Sequence, residues 1–595
     1  MQYKIESEHY TAKVVGEGSN DLQVLANFTA EIVAQTTVID GLEERMTLTI
    51  EGRGVGGKKL KRIEVEAKKF ASMSWVSENW GARAVIFPEA NATAEMRTAI
   101  QLMSENIKDE VIYVHTGWVE TEGEYAYLHG NGAIGKDGND ESIKVRLPED
   151  LKFYSFPTMT MDDEAEMREC WNASIELLKL ADITKMAPLL CCTWKACIGP
   201  SDFAVHATGR SGSFKSEVTS LLQSHYGKGM DARNLPGSWS STANAIEALA
   251  YRVKDALFVI DDFIPIGTSW QVKQYQATAD RIVRAQGNQQ GRARLTDVSS
   301  LQQTMYPRGL VLSSGEDTPE GQSLRGRMMI VELSKGDVCT TKLTEAQAKR
   351  PMYEKAMAGF IQWLARGRDA KLEAMEAMRL EFREFFSGSG HTRTPQMAGD
   401  LLAAAKMWLN FGMAKGFIEQ EDSDAYELEI YEALKMTSID QTRFITESDP
   451  AETFVSTMKA GFMAGRFHLK SIDGGRPDSP HMFGWEEDQS GTVYSYKPKG
   501  SHIGWVDEDK STIYLDAAVG YEEIKKQSGG SITITASTLW KRLIEAGVIS
   551  ARDEKRQRNT VRLTIKNVTK NVAHIDMNKI VEINKEDGDD GDGTF

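Results

Sequence analysis

The chain is poor in cysteine, has no long apolar run, and shows no paired metal-ligand spacing. Its five cysteines, Cys170, Cys191, Cys192, Cys197 and Cys339, are too few for 595 residues and odd in number, which excludes a disulfide framework and points to a reducing compartment. The cluster CCTWKAC at 191–197 has no second ligand pair at zinc spacing and reads as a buried helix. No uninterrupted apolar stretch reaches the roughly 18 residues of a membrane span. The opening MQYKIESEHY lacks an apolar signal segment, so a cytoplasmic, membrane-free protein is expected. No nuclease or primase constellation is visible. The net charge of −16 argues against a surface that coats nucleic acid as a whole, while leaving room for a local basic channel or lobe. With 41% apolar and 26% charged residues, the composition is that of a soluble globular chain, and the length calls for three or four domains.

Against those absences stands the octet GRSGSFKS, Gly209 to Ser216, entered from the strand-like FAVHAT and left by a helical pattern. A phosphate-binding loop reads G-x-x-x-x-G-K-[ST]: backbone N–H groups wrap the phosphates, the lysine reaches their oxygens and the hydroxyl meets Mg²⁺. Gly209, Lys215 and Ser216 are in register, with Arg210, Ser211, Gly212 and Ser213 between them, but Phe214 replaces the second glycine. Phe214 must therefore adopt a less permissive geometry or turn its ring away. The plain alternative is a Gly/Ser turn.

Forty-six residues after Lys215, the apolar run ALFVI ends in Asp261 and Asp262. Asp261 is positioned to hold the Mg²⁺ shell, and Asp262 stands where a glutamate usually polarises the attacking water, with a shorter reach. The alternative is a buried strand capped by two solvated acids. A third run, GLVLSSG, ends in Ser313 and Ser314, either of which suits a sensor of the terminal phosphate. Arg325 and Arg327 follow, just before the apolar MMIVEL. An arginine there suits a finger that completes a neighbouring subunit's site and makes turnover depend on assembly; alternatively both arginines merely flank the strand.

These residues, within ARNLPGSWSSTANAIEALAYRVKDALFVIDDF, ADRIVRAQGNQQGRARL and YPRGLVLSSGEDTPEGQSLRGRMMIVEL, carry a resemblance to the P-loop ATPases of phages, plasmids and integrated elements grouped with the domain of unknown function family 927. The resemblance is most specific over about 202–333 and extends over most of the chain. It implies a helicase-like ATPase of the AAA+ or superfamily 3 type, with ATP and Mg²⁺ as cofactors, DNA as partner, a homo-oligomeric ring such as a hexamer, and a bacterial or phage-infected host cell as its setting. In helicases of that class, loops inserted between the acidic strand and the sensor strand grip the DNA backbone. Arg281, Arg284, Arg292 and Arg294 occupy that position, with a solvated helix and loop as the competing reading.

The expected fold class is multidomain α/β. Residues 1–160 alternate short strand-like runs with one amphipathic stretch, an α+β accessory domain in which the isolated His115 reads as structural. A P-loop core of AAA+/RecA-like α/β type at 161–340 precedes a helical subdomain at 341–470. A C-terminal domain at 481–580 contains a winged-helix-like segment, 531–570. From Lys541 to Lys570 there are nine basic and three acidic residues, which suits DNA phosphate contacts through Lys541, Arg542, Arg552, Lys555, Arg556, Arg558 and Arg562. The alternative is a small lobe docking on an acidic neighbour. Residues 582–595 end in an acidic run and Phe595, a disordered tail fit either to dock on a replication partner or only to solubilise. The leading expectation is an ATP-driven DNA helicase or translocase. Its rivals are an ATP-gated DNA-binding initiator or regulatory ATPase that does not unwind, favoured by Phe214 and Asp262, and an ATPase acting on proteins.

Overall fold

The computed structural model describes residues 3–580 except 7–8, 16–20, 42, 89, 159–162, 292–293, 296–300, 303, 389–391, 489–494, 530, 533, 555, 557 and 566. The acidic tail with Phe595, Arg292 and Lys555 thus lie outside the described residues. The chain forms two compact units that cut across chain order. One holds residues 1–318, 331–387 and 395–437; the other holds 319–330, 388–394 and 438–595.

In the first unit, alternating apolar positions build the N-terminal α+β part. Strands Phe28–Ile39 and Glu44–Gly54 pair antiparallel at the centre of a five-stranded sheet, and bury Phe28, Ile32, Leu48 and Ile50 with Trp75 and Met96. Hydrogen bonds tie this part to residues 251–308 of the same unit. The Trp118 amide donates to Asp255 Oδ2 at 3.0 Å, Tyr127 Oη donates to the Asp255 carbonyl at 2.6 Å, and Arg308 Nη2 donates to the Asp40 carbonyl at 2.8 Å. His115 is buried, with Nδ1 bonded to the Thr116 carbonyl, and burial pushes its pKa down to about 4, as a structural histidine requires.

The central α/β layer starts with α1 (Ile183–Ile198), then β1 (Ala204–Thr208), α2 (Lys215–Gln223), β2 (Gly237–Ser238), α3 (Ala243–Arg252), β3 (Leu257–Phe263), α4 (Ser269–Asn288), β4 (Leu310–Gly315) and β5 (Met328–Glu332). The sheet order is β2-β3-β4-β1-β5, and the β2–β3, β3–β4 and β1–β4 pairs are parallel. A parallel sheet is covered on both faces, which is why ALFVI and LVLSS are continuous buried runs rather than alternating ones. CCTWKAC forms the end of α1, with its three thiols buried and Trp194 stacked on Trp408 at 4.8 Å. Burial pushes the Cys197 thiol up to about 12, so these cysteines are packing residues. Between α4 and β4, Arg294–Leu295 pairs with Leu301–Gln302 as a short antiparallel ribbon.

The second unit centres on a six-stranded sheet. Its order is Phe467–Ser471, Ser501–Asp507, Thr512–Asp516, Val568–Asp576, Ile549–Ala551, with Val561–Ile565 also paired to Val568–Asp576. Helices Pro450–Met463, Val519–Gln527 and Ala536–Glu545 bury Phe454, Ile524, Leu539 and Leu543 against Ile503, Ile513 and Ile575. Thr535 caps the helix Ala536–Glu545 by accepting from the Thr538 amide, Gly547 turns the chain at φ 68°, and a strand, a basic bend and an antiparallel hairpin follow. The hairpin is part of the larger sheet rather than a free wing.

Segment 319–330 belongs to this second unit although the sequence places it within the central layer. Its short helix is held by the helix Gln420–Glu447: Arg325 Nη1 donates to the Phe444 carbonyl at 2.9 Å, and Gln441 bonds both the Ile330 amide and the Arg325 carbonyl.

Candidate functional site

Parallel strands deliver their C-terminal ends to one edge of the sheet, and loops at such an edge are where α/β sheets take ligands. Here β1 runs into Gly209–Phe214 and α2, β3 ends at Asp261 and Asp262, and β4 ends at Ser313 and Ser314. The loop turns at two positions that only glycine tolerates without strain. A Cβ on Gly209 (φ 154°) would sit 2.0 Å from the Leu333 carbonyl oxygen, and Gly212 has φ 82°.

Phe214, the substituted position, takes the left-handed conformation a glycine would have supplied, at φ 63° and ψ 19°, and its ring is 39% exposed. Both expectations drawn from the sequence therefore hold together: the backbone is strained by roughly 1–2 kcal/mol, and the ring is turned outward. Ser213 is buried, and its Oγ has no hydrogen-bond partner, an orphaned hydroxyl inside the loop.

Lys215 opens α2 and points back into the loop, its Nζ donating to the Arg210 carbonyl at 3.2 Å. Burial lowers its pKa, opposed by the charges of Glu316, Asp261 and Asp262. At the next residue, Ser216 Oγ donates to Asp261 Oδ1 at 3.1 Å, and Ser314 Oγ donates to the same oxygen. Ser216, Asp261 and Ser314 thus gather hard oxygen donors on one point, a set that Mg²⁺ accepts when phosphates and waters fill the remaining positions. Among the described residues no group of three or more His, Cys, Asp or Glu side chains could hold a metal ion by itself. The glycine cradle, the orphaned Ser213 hydroxyl and this donor set all fit a magnesium-bound polyphosphate.

The geometry of the acid pair comes from a bulge. Between the pairs Ile260↔Ser313 and Phe263↔Gly315 the register shifts, so Asp261 and Asp262 together oppose Ser314 alone. Asp262 absorbs the extra residue at φ 72° and leaves the sheet plane exposed, while Asp261 stays against the serines. Burial, then the charges of Asp261 and Glu316, raise the pKa of Asp262, with Lys215 opposing.

Of the two candidate sensor serines, alternation along β4 selects one. Ser313 points away and bonds His206 Nδ1 and Trp239 Nε1, both at 2.9 Å, so Ser314 is the residue at the site. Two residues escaped the sequence reading. Glu316, whose amide donates to the Phe263 carbonyl at 3.1 Å, adds a third acid. Lys335 lies over the loop, with its Cε 3.4 Å from where a Cβ on Gly212 would be. Neither belongs to a motif; only strand order brings them in.

The other expected residues make the following contacts. Arg325 and Arg327 fall in the second unit; Arg325 Nε donates to the Pro319 carbonyl at 3.0 Å, and Arg327 Nη1 bonds Ser323 one turn back. On α4, Arg281 forms a two-pronged ion pair with the buried Glu247 and also bonds Asn244, while Arg284 pairs with Asp280 at 2.7 Å. Arg294 lies in the ribbon after α4. In the second unit, Lys541 pairs with Glu545 at 3.8 Å, Arg542 Nη1 donates to Gln322 Oε1 at 2.7 Å, and Arg556 pairs with Asp553 at 4.0 Å. Arg558 lines a cleft of about 740 Å³ with Trp540, Asn559, Lys570 and Asn571.

Among the described residues no helix is long and apolar enough to cross a membrane. No curated protein sequence matches the chain. A solved structure described as SCCmec type IV Cch, an active helicase, is similar in fold at a TM-score of 0.54 and 13% identity, covering 97% of this chain and 98% of that one. The fold is therefore shared with that structure, a multidomain α/β arrangement around a parallel sheet. The family model of the domain of unknown function DUF927 matches residues 24–303, which takes in the N-terminal sheet, the loop and the acid pair. Over residues 24–303, the chain is thus similar to the DUF927 family.

Proposed function

We propose that this protein is an ATP-dependent DNA helicase or translocase of a mobile element's replication system, of phage or plasmid type, hydrolysing ATP at the subunit interfaces of a hexameric ring. The observation that carries this reading is the meeting of the glycine-cradled loop, Lys215, Ser216, Asp261 and Ser314 at one edge of a parallel sheet, on a fold shared with a protein described as an active helicase.

ATP with Mg²⁺ supplies the phosphoryl group and the charge neutralisation of its transfer. The chain's own part is to hold and orient. Backbone N–H groups of 209–214 and the Ser213 hydroxyl wrap phosphate oxygens, and Lys215 turns from the Arg210 carbonyl to them. Ser216 and Asp261 fix the metal's place, and Ser314, bonded to the same carboxylate oxygen, reports on the outermost phosphate. Asp262, carried outward by the bulge and with a raised pKa, orients water and accepts its proton at the carboxylate. Arg325 or Arg327 would act in the neighbouring subunit's site, leaving the carbonyl contacts that each makes here. DNA contact is assigned to the ribbon that carries Arg294 and to the Arg558 cleft of the second unit.

The strain at Phe214 and the short Asp262 favour a second reading, an ATP-gated DNA-binding initiator with slow turnover. Strand displacement on a forked DNA separates the two. The helicase reading expects displacement by the wild type and none by Lys215→Ala. DNA binding and ATP-dependent oligomerisation without displacement would sink it, and an ATPase rate untouched by any DNA would move the target to protein. In mixed rings, Arg327→Ala subunits should regain turnover with Lys215→Ala subunits if the arginine acts in trans.

A further inference from the structure

We propose that Lys335 is a second ammonium on the nucleotide's outermost phosphate, supplied by the same subunit. The inference rests on the ATP-site reading above and deepens it. β5 leaves the sheet beside β1, where the Leu333 amide donates to the Thr208 carbonyl at 2.8 Å and the Leu333 carbonyl closes on Gly209. The chain then turns sharply over Ser334–Asp337. The Ser334 amide donates to Asp337 Oδ2 at 2.8 Å, the Asp337 amide donates back to the Ser334 carbonyl at 3.3 Å, and Gly336 takes φ 95°. This small closed turn is anchored on the same backbone as the loop, so Lys335 is carried by a fixed support rather than a free end.

The lysine lies along the middle of the loop. Its Cε and Nζ are 3.4 Å and 3.8 Å from the place a Cβ would occupy on Gly212, and the missing Cβ is what leaves that space to the ammonium. Backbone N–H groups within a loop of this kind enclose the inner phosphates, so a side chain reaching over its rim meets the outer one.

Charge gives the reason for a second cation. Three acids, Asp261, Asp262 and Glu316, act on Lys215, and a triphosphate adds further negative charge at the same edge. Lys215 faces those acids from within the loop, where burial lowers its pKa against their pull. Lys335 is exposed and reaches the loop from the side opposite the β3 acids in sheet order, since β5 and β3 flank β1 and β4 on either side. A single charge-assisted contact of this kind is worth about tenfold in affinity.

The test is calorimetric binding of the non-hydrolysable adenosine 5′-(β,γ-imido)triphosphate and of ADP, each with Mg²⁺, to the full chain. Lys335→Ala should bind the triphosphate analogue about tenfold more weakly than wild type and ADP within about twofold, and Lys335→Arg should restore triphosphate binding. Lys215→Ala should lose both ligands. If Lys335→Ala matches wild type for both ligands, or weakens ADP as much as the triphosphate, the inference is overturned while the ATP-site reading stands. If wild type binds neither ligand, the ATP-site reading itself has failed.

Discussion

The loop edge of the central sheet and the basic lobe of the second unit were both picked out by charge and motif, yet they differ in how their polar groups are used. At the edge, Gly209, Phe214 and Asp262 hold positive φ, and Ser213 is buried without a hydrogen-bond partner. In the lobe, Lys541, Arg542 and Arg556 have found Glu545, Gln322 and Asp553. Strain and an orphaned polar atom cost stability; the edge concentrates them in 209–214 and Asp262, while the lobe has Asn567 at φ 67° and the His574 Nε2 without a hydrogen-bond partner. The difference teaches that a count of basic residues is weaker evidence of a ligand than a backbone held in an unfavourable conformation.

The comparison can be broken at the edge first. Asp261→Asn removes the carboxylate that Ser216 and Ser314 share, and should lower the steady-state ATPase rate by on the order of 10²–10³-fold, the loss of a group that acts on developing charge. An unaffected rate would make the edge no more functional than the lobe.

The next test asks whether an unsatisfied group away from the edge is strained to a similar degree. Asp400 lines a cavity of about 540 Å³ with Lys195, Asp202, Glu376 and Arg379, and its Oδ1 is 3.5 Å from Arg379 Nε without a hydrogen bond. Burial raises its pKa to about 6 from an ordinary 3.8, against the pull of Lys195 and Arg379. The folded state thus holds this proton more tightly than the unfolded one, so its stabilising contribution is full below about pH 4 and is lost as pH rises through 6, amounting to roughly 3 kcal/mol. Asp400→Asn should flatten that part of the stability–pH curve in denaturant titrations. An unchanged slope would clear Asp400 of strain.

Smaller effects sharpen the contrast. Phe214→Gly should raise stability by about 1 kcal/mol through relief of the left-handed backbone, less the entropy a glycine adds to the unfolded chain, measured by urea unfolding. No gain would mean that the loop is not strained at this position. In the lobe, Arg558→Ala should lower the salt dependence of DNA binding by about one counterion, while Lys541→Ala, already paired with Glu545, should change it less. Equal slopes for the two would erase the distinction drawn between paired and cleft-facing arginines and lysines.

Much of the edge was legible because its residues are local in sequence. GRSGSFKS, the paired acids after ALFVI and the serines after GLVL each announce a strand end, and one sheet can collect three strand ends only along one edge. Phe214 was legible as a conflict, and the structure resolves it through backbone and ring together. Ser313 and Ser314 were left open, because a buried strand hides its alternation; His206 and Trp239 on the neighbouring elements decided it. Glu316 and Lys335 were missed, since their relevance depends on which strands adjoin. Arg281 was expected on the DNA backbone or in a solvated helix, and here it is bound to Glu247, a partner 34 residues away on α3.

The sequence by itself determined the loop, the acid pair, the buried α1 with its inert thiols, and the alternation of helices and strands in the central layer, because these follow from short-range periodicity and from backbone needs written in glycine and apolar runs. Only the tertiary structure decided that β5 lies beside β1, that a bulge separates the tasks of Asp261 and Asp262, and that segment 319–330 with its two arginines packs with the C-terminal residues. Those outcomes depend on strand order and side-chain pairing between distant segments, which a local pattern does not encode.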